Sequence, residues 1–176
     1  MKTLIATVAA VAFAGSAYAT DLPSRAAPAA PPIFAQSPSF GFYAGLSGGV
    51  AFTDNINNRE ATVGGTFGLQ FNPFLRSELN VSNRFGAQNG QVVTADAIIG
   101  VPFYGITPYT FVGLGYGFNA YGKPNGDAAA LWSVGGGVRY ELTRNWEVDT
   151  RYRYTRQFND SNADNNTVTF GLNYRF

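Results

Sequence analysis

Glu147 and Asp149 are the residues of this sequence that most resemble a catalytic pair of carboxylates. Paired carboxylates can serve as general acid and general base. Here Arg151 and Arg153 follow at the same two-residue spacing, and in a β-strand that spacing places all four side chains on one face. The pattern therefore favours mutual neutralisation of the four charges over acid–base chemistry.

Other residue types that carry enzyme chemistry are scarce. The chain has no histidine, the usual general base near neutral pH, and no cysteine, so only carboxylates could ligate a metal. The glycine-rich stretches 113–117 and 135–137 could suggest a phosphate loop, but no helix follows either of them. We therefore predict a non-enzymatic protein without catalytic, cofactor-binding or metal-binding residues. A formal net charge of +1 gives no polybasic signature for nucleic acid.

The N-terminal segment has the pattern of an export signal. Lys2 precedes an apolar stretch at 4–14, and Ala17 and Ala19 are the small residues that a cleavage site requires. A membrane anchor is the alternative, but an apolar stretch of eleven residues is too short to span a bilayer. We predict a signal peptide at 1–19, cleaved between Ala19 and Thr20, and an extended or disordered, Pro/Ala-rich periplasmic leader at 20–39.

From residue 40 onward, apolar and polar residues alternate with a period of two, which is the pattern of β-strands. Each segment is long enough for a tilted transmembrane strand, which needs ~9–11 residues. The predicted strands are 40–53, 59–71, 74–85, 91–103, 107–118, 128–142, 145–157 and 166–176. An open sheet edge in hydrocarbon would leave backbone groups unpaired, so the last strand must pair with the first. The prediction is an all-β fold: an eight-stranded antiparallel up-and-down transmembrane β-barrel over 40–176.

Alternation alone would also fit a soluble sandwich or a lipocalin, and three further features favour the outer membrane. Lysine, common on soluble surfaces, occurs only at positions 2 and 123. Short connections alternate with longer ones at 54–58, 86–90, 119–127 and 158–165, the pattern of periplasmic turns and external loops. Aromatic residues also collect at both predicted rims, as in an interfacial girdle. They are Phe42, Phe71, Phe103, Tyr140, Trp146, Tyr174 and Phe176 at the periplasmic rim, and Phe52, Phe85, Phe118, Trp132 and Tyr154 at the outer rim.

The inward-facing positions carry equal numbers of acids and bases. Since eight strands leave an interior about wide enough for side chains, we predict a plug of paired charges, with a polar conduit or a bound ion as the alternative. The predicted lumen charge network consists of Glu60, Arg76, Glu78, Arg84, Asp96, Arg139, Glu141, Glu147, Asp149, Arg151, Arg153 and Arg175.

Three cations fall at or beyond the predicted outer rim: Arg59, Lys123 and Arg156. Cations at this height could pair with lipopolysaccharide phosphates. The alternative is ordinary solvated loop charge, and the sequence leaves both interpretations open.

The last strand, 167–176, carries apolar or aromatic residues at alternate positions, Phe170, Leu172 and Tyr174, and ends in Phe176. It resembles the C-terminal signal of outer-membrane barrels. The stretches 41–45, 108–116 and 146–154 resemble small barrels of the opacity-protein and OmpA-transmembrane-domain type. The resemblance implies recognition of the last strand by the barrel-assembly machinery, with periplasmic chaperones as earlier partners and outer-membrane lipid as the final surroundings.

These observations predict a structural outer-membrane protein that contributes to envelope integrity and surface presentation. Two alternatives remain open: a narrow pore for ions or small solutes, and an adhesin or surface-recognition protein that acts through short external loops.

Overall fold

The computed structural model describes residues 40–53, 59–86, 90–118, 128–158 and 164–176. Eight strands occupy nearly all of them, with bounds within three residues of the predicted ones. They are β1 (Gly41–Thr53), β2 (Arg59–Gln70), β3 (Leu75–Phe85), β4 (Gly90–Gly100), β5 (Ile106–Phe118), β6 (Ala128–Glu141), β7 (Trp146–Gln157) and β8 (Asn165–Arg175). The predicted signal peptide and leader lie outside the described residues.

Each strand pairs antiparallel with its neighbours in sequence, and β1 pairs with β8 to close the barrel. The predicted eight-stranded up-and-down β-barrel is thus confirmed. Among the described residues there is no helix with the length and apolar character that a membrane crossing requires.

The register of the strands determines the width of the barrel. Following paired residues once around the sheet from Tyr43 returns to β1 at Thr53, ten residues further along the strand. With eight strands, this stagger corresponds to a strand tilt of about 40° and a backbone radius of roughly 8 Å. Inward side chains from opposite walls can therefore meet across the lumen.

The two ends of the barrel differ. We call the end that carries the short connections 71–74, 101–105 and 142–145 the turn end; β1 begins and β8 ends there. The opposite end, which faces the connections outside the described residues, is the loop end. At the turn end, the backbone N–H groups of Phe74 and Leu75 donate to Asn72 Oδ1, each at 2.8 Å, and this side chain stabilises the β2–β3 turn.

The connection between β4 and β5 explains the largest difference from the predicted bounds. β4 was expected to reach residue 103 but ends at Gly100, because Pro102 has no N–H to donate to the ladder. Phe103 and Ile106 still exchange hydrogen bonds of 2.7 and 2.9 Å around a two-residue turn. Tyr104 and Gly105 both have positive φ there, 48° and 81°, as a type I′ hairpin turn requires.

The outer face of the barrel is apolar, and many of its aromatic residues lie near the two rims. Leu46, Leu114 and Phe170 expose 74%, 62% and 65% of their surface, although charged residues are buried inside. The rings of Trp146 and Tyr174 pack edge to face at the turn end, with their centroids 5.0 Å apart. At the loop end, the rings of Trp132 and Tyr154 pack in the same way. This inside-out distribution is stable only where lipid covers the outer face.

We expect Leu46→Arg to lower the free energy of unfolding in lipid vesicles by about 2–4 kcal/mol, because it places a charge near the middle of the lipid-facing band. Ala61→Arg, an outward position near the loop end, is the matched control and should lower it by only about 0–1 kcal/mol. Urea unfolding followed by tryptophan fluorescence measures both. Equal effects of the two substitutions would contradict the depth assigned to Leu46.

Candidate functional site: the lumen plug

Large inward side chains fill the lumen because glycines on neighbouring strands leave room for them. A Cβ atom at Gly68 would overlap the ring of Tyr43, and one at Gly137 would overlap Tyr109. Both tyrosines are at least nine-tenths buried and reach acidic partners inside the barrel. Inward glycine is therefore the local sequence feature that positions these rings.

Nearest the turn end, one carboxylate is shared by three arginines. Glu147 accepts two hydrogen bonds from Arg76, with Nη1–Oε1 and Nη2–Oε2 distances of 2.8 and 3.3 Å. Arg175 Nη2 lies 2.9 Å from Oε2, and Arg139 Nε lies 3.1 Å from Oε1. Arg175 also contacts Glu141 at 3.3 Å. The Glu147 side chain is only 2% exposed, so water does little to screen these contacts.

A second buried carboxylate, Glu78, lies one layer further into the barrel. Arg151 Nη2 is 2.7 Å from its Oε2, and the Tyr43 hydroxyl donates to its Oε1 at 2.7 Å. Arg139 Nη2 lies 3.6 Å from the same carboxylate. Arg139 therefore bridges Glu78 and Glu147 and joins the two layers.

The third layer surrounds Asp96 and Asp149. Arg153 donates hydrogen bonds to both carboxylate oxygens of Asp96, and Asn80 Nδ2 donates to Oδ2 of the same carboxylate at 2.7 Å. Asp149 accepts from the Tyr109 hydroxyl at 2.6 Å and lies 3.5 Å from Arg151 Nε. Each acid in this layer thus has an arginine and a neutral donor as partners.

Aromatic rings hold the guanidinium groups in stacks. Arg139 lies 4.8 Å from the centroid of Tyr109, and Arg153 lies 4.6 Å from that of Phe111. Arg151 is between the two rings, 5.5 and 5.3 Å from their centroids. Cation–π attraction and the flat ring faces fix the arginines where the carboxylates need them.

Ten of the twelve residues predicted for the lumen charge network meet in this cluster, which we call the lumen plug; Glu60 and Arg84 lie nearer the loop end. The plug has five acids and five bases and is formally neutral. Its members are Arg76, Glu78, Asp96, Arg139, Glu141, Glu147, Asp149, Arg151, Arg153 and Arg175.

The pairing differs from that expected from neighbours along β7. Glu147 is neutralised by arginines of β3, β6 and β8, and Arg153 pairs with Asp96 of β4. Only Asp149 and Arg151 contact each other within the strand, at 3.5 Å. Side chains two residues apart on one strand are held at successive positions along it, whereas the narrow lumen brings side chains from opposite walls into contact. Sequence reasoning also missed Tyr43, Tyr109 and Asn80 as partners, although all three share the inward parity.

The remaining predicted residues lie outside the plug. Arg59 is exposed on the outer face at the loop end of β2, and Arg156 faces outward with its Nε 3.3 Å from Asp164. The residues of the predicted C-terminal signal, Phe170, Leu172, Tyr174 and Phe176, all face outward. Lys123, Ala19 and Thr20 are outside the described residues. Within the described part of the chain, no group of three or more acidic side chains is arranged to hold a metal ion.

The plug is arranged for neutralisation of charge. The carboxylates of Glu147 and Asp149, the pair that could have suggested acid–base chemistry, are both engaged by arginine, and Asp149 also by a tyrosine hydroxyl. The ion pairs connect side chains of five strands, β3, β4, β6, β7 and β8, across the lumen at that level.

Comparisons with known proteins place this geometry in context. Residues 5–176 match a family model described as "Outer membrane protein beta-barrel domain". No curated protein sequence matches the chain.

Three solved structures are similar. The N-terminal β-barrel domain of Pseudomonas aeruginosa OprF matches with a TM-score of 0.61 and 14% identity, covering 80% of this chain and 98% of that one. Neisserial surface protein A matches with a TM-score of 0.59 and 17% identity, covering 78% and 97%. A de novo designed transmembrane β-barrel gives 0.57 and 16%, covering 80% and 98%. At identities this low, the structural matches establish a shared fold and nothing further.

We expect Glu147→Gln to lower the free energy of unfolding by about 3–5 kcal/mol, because three buried guanidiniums lose the anion that they share. Glu60→Gln, the same chemical change at a half-exposed position near the loop end, should change it by less than about 0.5 kcal/mol. Urea unfolding in lipid vesicles gives both values. A small loss for Glu147→Gln would mean that the plug does not stabilise the barrel.

Proposed function

The chain belongs to the outer membrane protein β-barrel family and is located in the outer membrane, and from that premise we propose that it is a structural, non-enzymatic envelope protein. Its barrel would contribute to envelope integrity by occupying the bilayer as a rigid, sealed cylinder. In this proposal residues 1–19 are the removed signal peptide and 20–39 the periplasmic leader, so the turn end faces the periplasm and the loop end faces outward.

One observation carries the structural role: the lumen plug connects opposite walls by ion pairs whose side chains are almost completely buried. The side chains of Arg139 and Glu78 are 2% and 0% exposed, and those of Arg76 and Glu147 are 6% and 2% exposed. A permeating ion would have to separate these pairs in a poorly solvated section of the barrel. Separation of that kind is opposed by several kcal/mol, which favours a sealed cylinder over a narrow pore.

The outward cations at the loop end support contact with lipopolysaccharide as part of this role. Arg156 lies beside Trp132, and its side chain keeps 35% exposure although it contacts Asp164. Arg59 is exposed at the same end of the barrel. Guanidinium groups beside an interfacial aromatic ring can bind lipid phosphates by charge-assisted hydrogen bonds.

Conductance of the refolded barrel in a planar bilayer tests the sealed state. We expect no stable conductance, because the plug fills the lumen. The double variant Arg139→Ala, Arg151→Ala is the positive control: it removes two guanidiniums from the central layers and should conduct wherever it folds. A steady open channel in the unaltered protein, whose ion selectivity changes with Arg151→Ala, would replace the structural role with transport.

The last strand should be needed for assembly by the barrel-assembly machinery more than for stability. We expect Phe176→Ala to reduce the amount of folded, heat-modifiable barrel in outer membranes while changing the free energy of unfolding by less than about 1 kcal/mol. Phe85→Ala is the matched control, since it removes an exposed rim phenylalanine away from the terminus. Equal levels of folded barrel in all three proteins would contradict recognition of Phe176.

A further inference from the structure

The lumen contains a cavity of about 60 Å³ on the loop-end side of the plug. Serine and threonine hydroxyls from β1, β2, β3, β4, β7 and β8 form much of its wall. Three arginines also line it: Arg84, which the plug does not include, and Arg151 and Arg153, whose carboxylate partners form part of the plug. The cavity thus borders the plug, and polar side chains from six strands form part of its wall.

The charged groups in the wall of this cavity are mainly cationic. Three guanidinium groups line it, but the only carboxylate among the lining residues is Asp149. That carboxylate already accepts from the Tyr109 hydroxyl and contacts Arg151. The carboxylates of Glu78 and Asp96 pair with Arg151 and Arg153 but do not line the cavity, so guanidinium groups outnumber carboxylates in its wall. Such a wall suits an anion that accepts several hydrogen bonds.

An unpartnered buried hydroxyl also points to an occupant. Thr62 is 4% exposed and lines the cavity, and its Oγ1 has no hydrogen-bond partner among the described residues. A buried hydroxyl without a partner is unfavourable by about 1–3 kcal/mol. An occupant that accepts a hydrogen bond from Thr62 would remove this penalty.

We propose that the cavity is a binding site for a small inorganic oxyanion, of the sulfate or phosphate class, held by Arg84, Arg153 and the Thr62 hydroxyl. The size is suitable: at ~10–15 Å³ for each water position, 60 Å³ holds several waters or one tetrahedral anion with part of its hydration shell. Because the plug borders the cavity on the turn-end side, the anion enters and leaves from the loop end. The site is independent of the structural role proposed above.

The test uses the full refolded barrel in phosphatidylcholine bilayers without lipopolysaccharide. Sodium sulfate is titrated against sodium chloride at constant ionic strength, and NMR follows the side-chain signals of arginine and threonine. We expect saturable, sulfate-specific shifts at Arg84, Arg153 and Thr62. Arg84→Met, which keeps the length of the side chain and removes its charge, should weaken sulfate binding at least about tenfold, in line with the loss of a charge-assisted hydrogen bond. Arg156→Met, the same change on the outer face, should leave the affinity unchanged.

Thr62→Val provides a second variant, nearly isosteric and uncharged, in case Arg84→Met does not fold; it too should weaken sulfate binding. Shifts that are equal for chloride and sulfate, that never saturate, or that persist in both cavity variants would overturn the proposal and leave a chamber of water. Shifts that appear only after lipopolysaccharide is added would assign the phosphate to the lipid and would also overturn it.

Discussion

In hydrocarbon, a backbone N–H or C=O group has no water to bond, and this constraint determines most of the structure. It requires the sheet to close, which β1 and β8 achieve through pairs that extend from Tyr43↔Arg175 to Thr53↔Asn165. Closure with eight strands and a stagger of ten residues leaves a lumen only about as wide as two facing side chains. The inward charges of the plug must then find their partners inside that lumen, because lipid is not available there and the side chains are almost fully buried from water. Closure of the barrel therefore accounts for the plug, because it brings the inward charges close enough to pair.

Within the plug, stability depends on completeness. A buried ion pair need not stabilise a protein relative to apolar packing, but an unpaired member is strongly unfavourable. The structure meets this requirement by sharing: Arg139 contacts both Glu78 and Glu147, and Arg151 contacts Glu78, Asp96 and Asp149. Tyrosine hydroxyls supply the additional donors, and glycines opposite the rings supply the space. Because these contacts connect β3, β4, β6, β7 and β8 across the lumen, they also resist distortion of the cylinder, as the proposed structural role requires.

The sequence was sufficient to predict the strands, their number, their inward parity and the neutral balance of charges, since a period of two depends only on residue order. The partners inside the plug could not be predicted in the same way. Glu147 and Arg76 are separated by 71 residues and meet only because of the stagger, which the alternation of residues does not specify. The end of β4 was misplaced for a local reason, the missing N–H of Pro102. Thr62 was overlooked because a threonine of the inward parity looks the same in sequence whether its hydroxyl is paired or not.

The fold by itself leaves the activity open, since a designed barrel shares it. In this chain the lumen differs between its two ends. Arginine–carboxylate layers lie toward the turn end, while threonine and serine hydroxyls form part of the wall of a cavity on the loop-end side. Conduction needs a continuous path of water, and the structural role that we propose requires the plug to interrupt that path. A cavity that exchanges with the loop end is compatible with such a barrel, because Arg151 and Arg153 pair with carboxylates of the plug and also line the cavity.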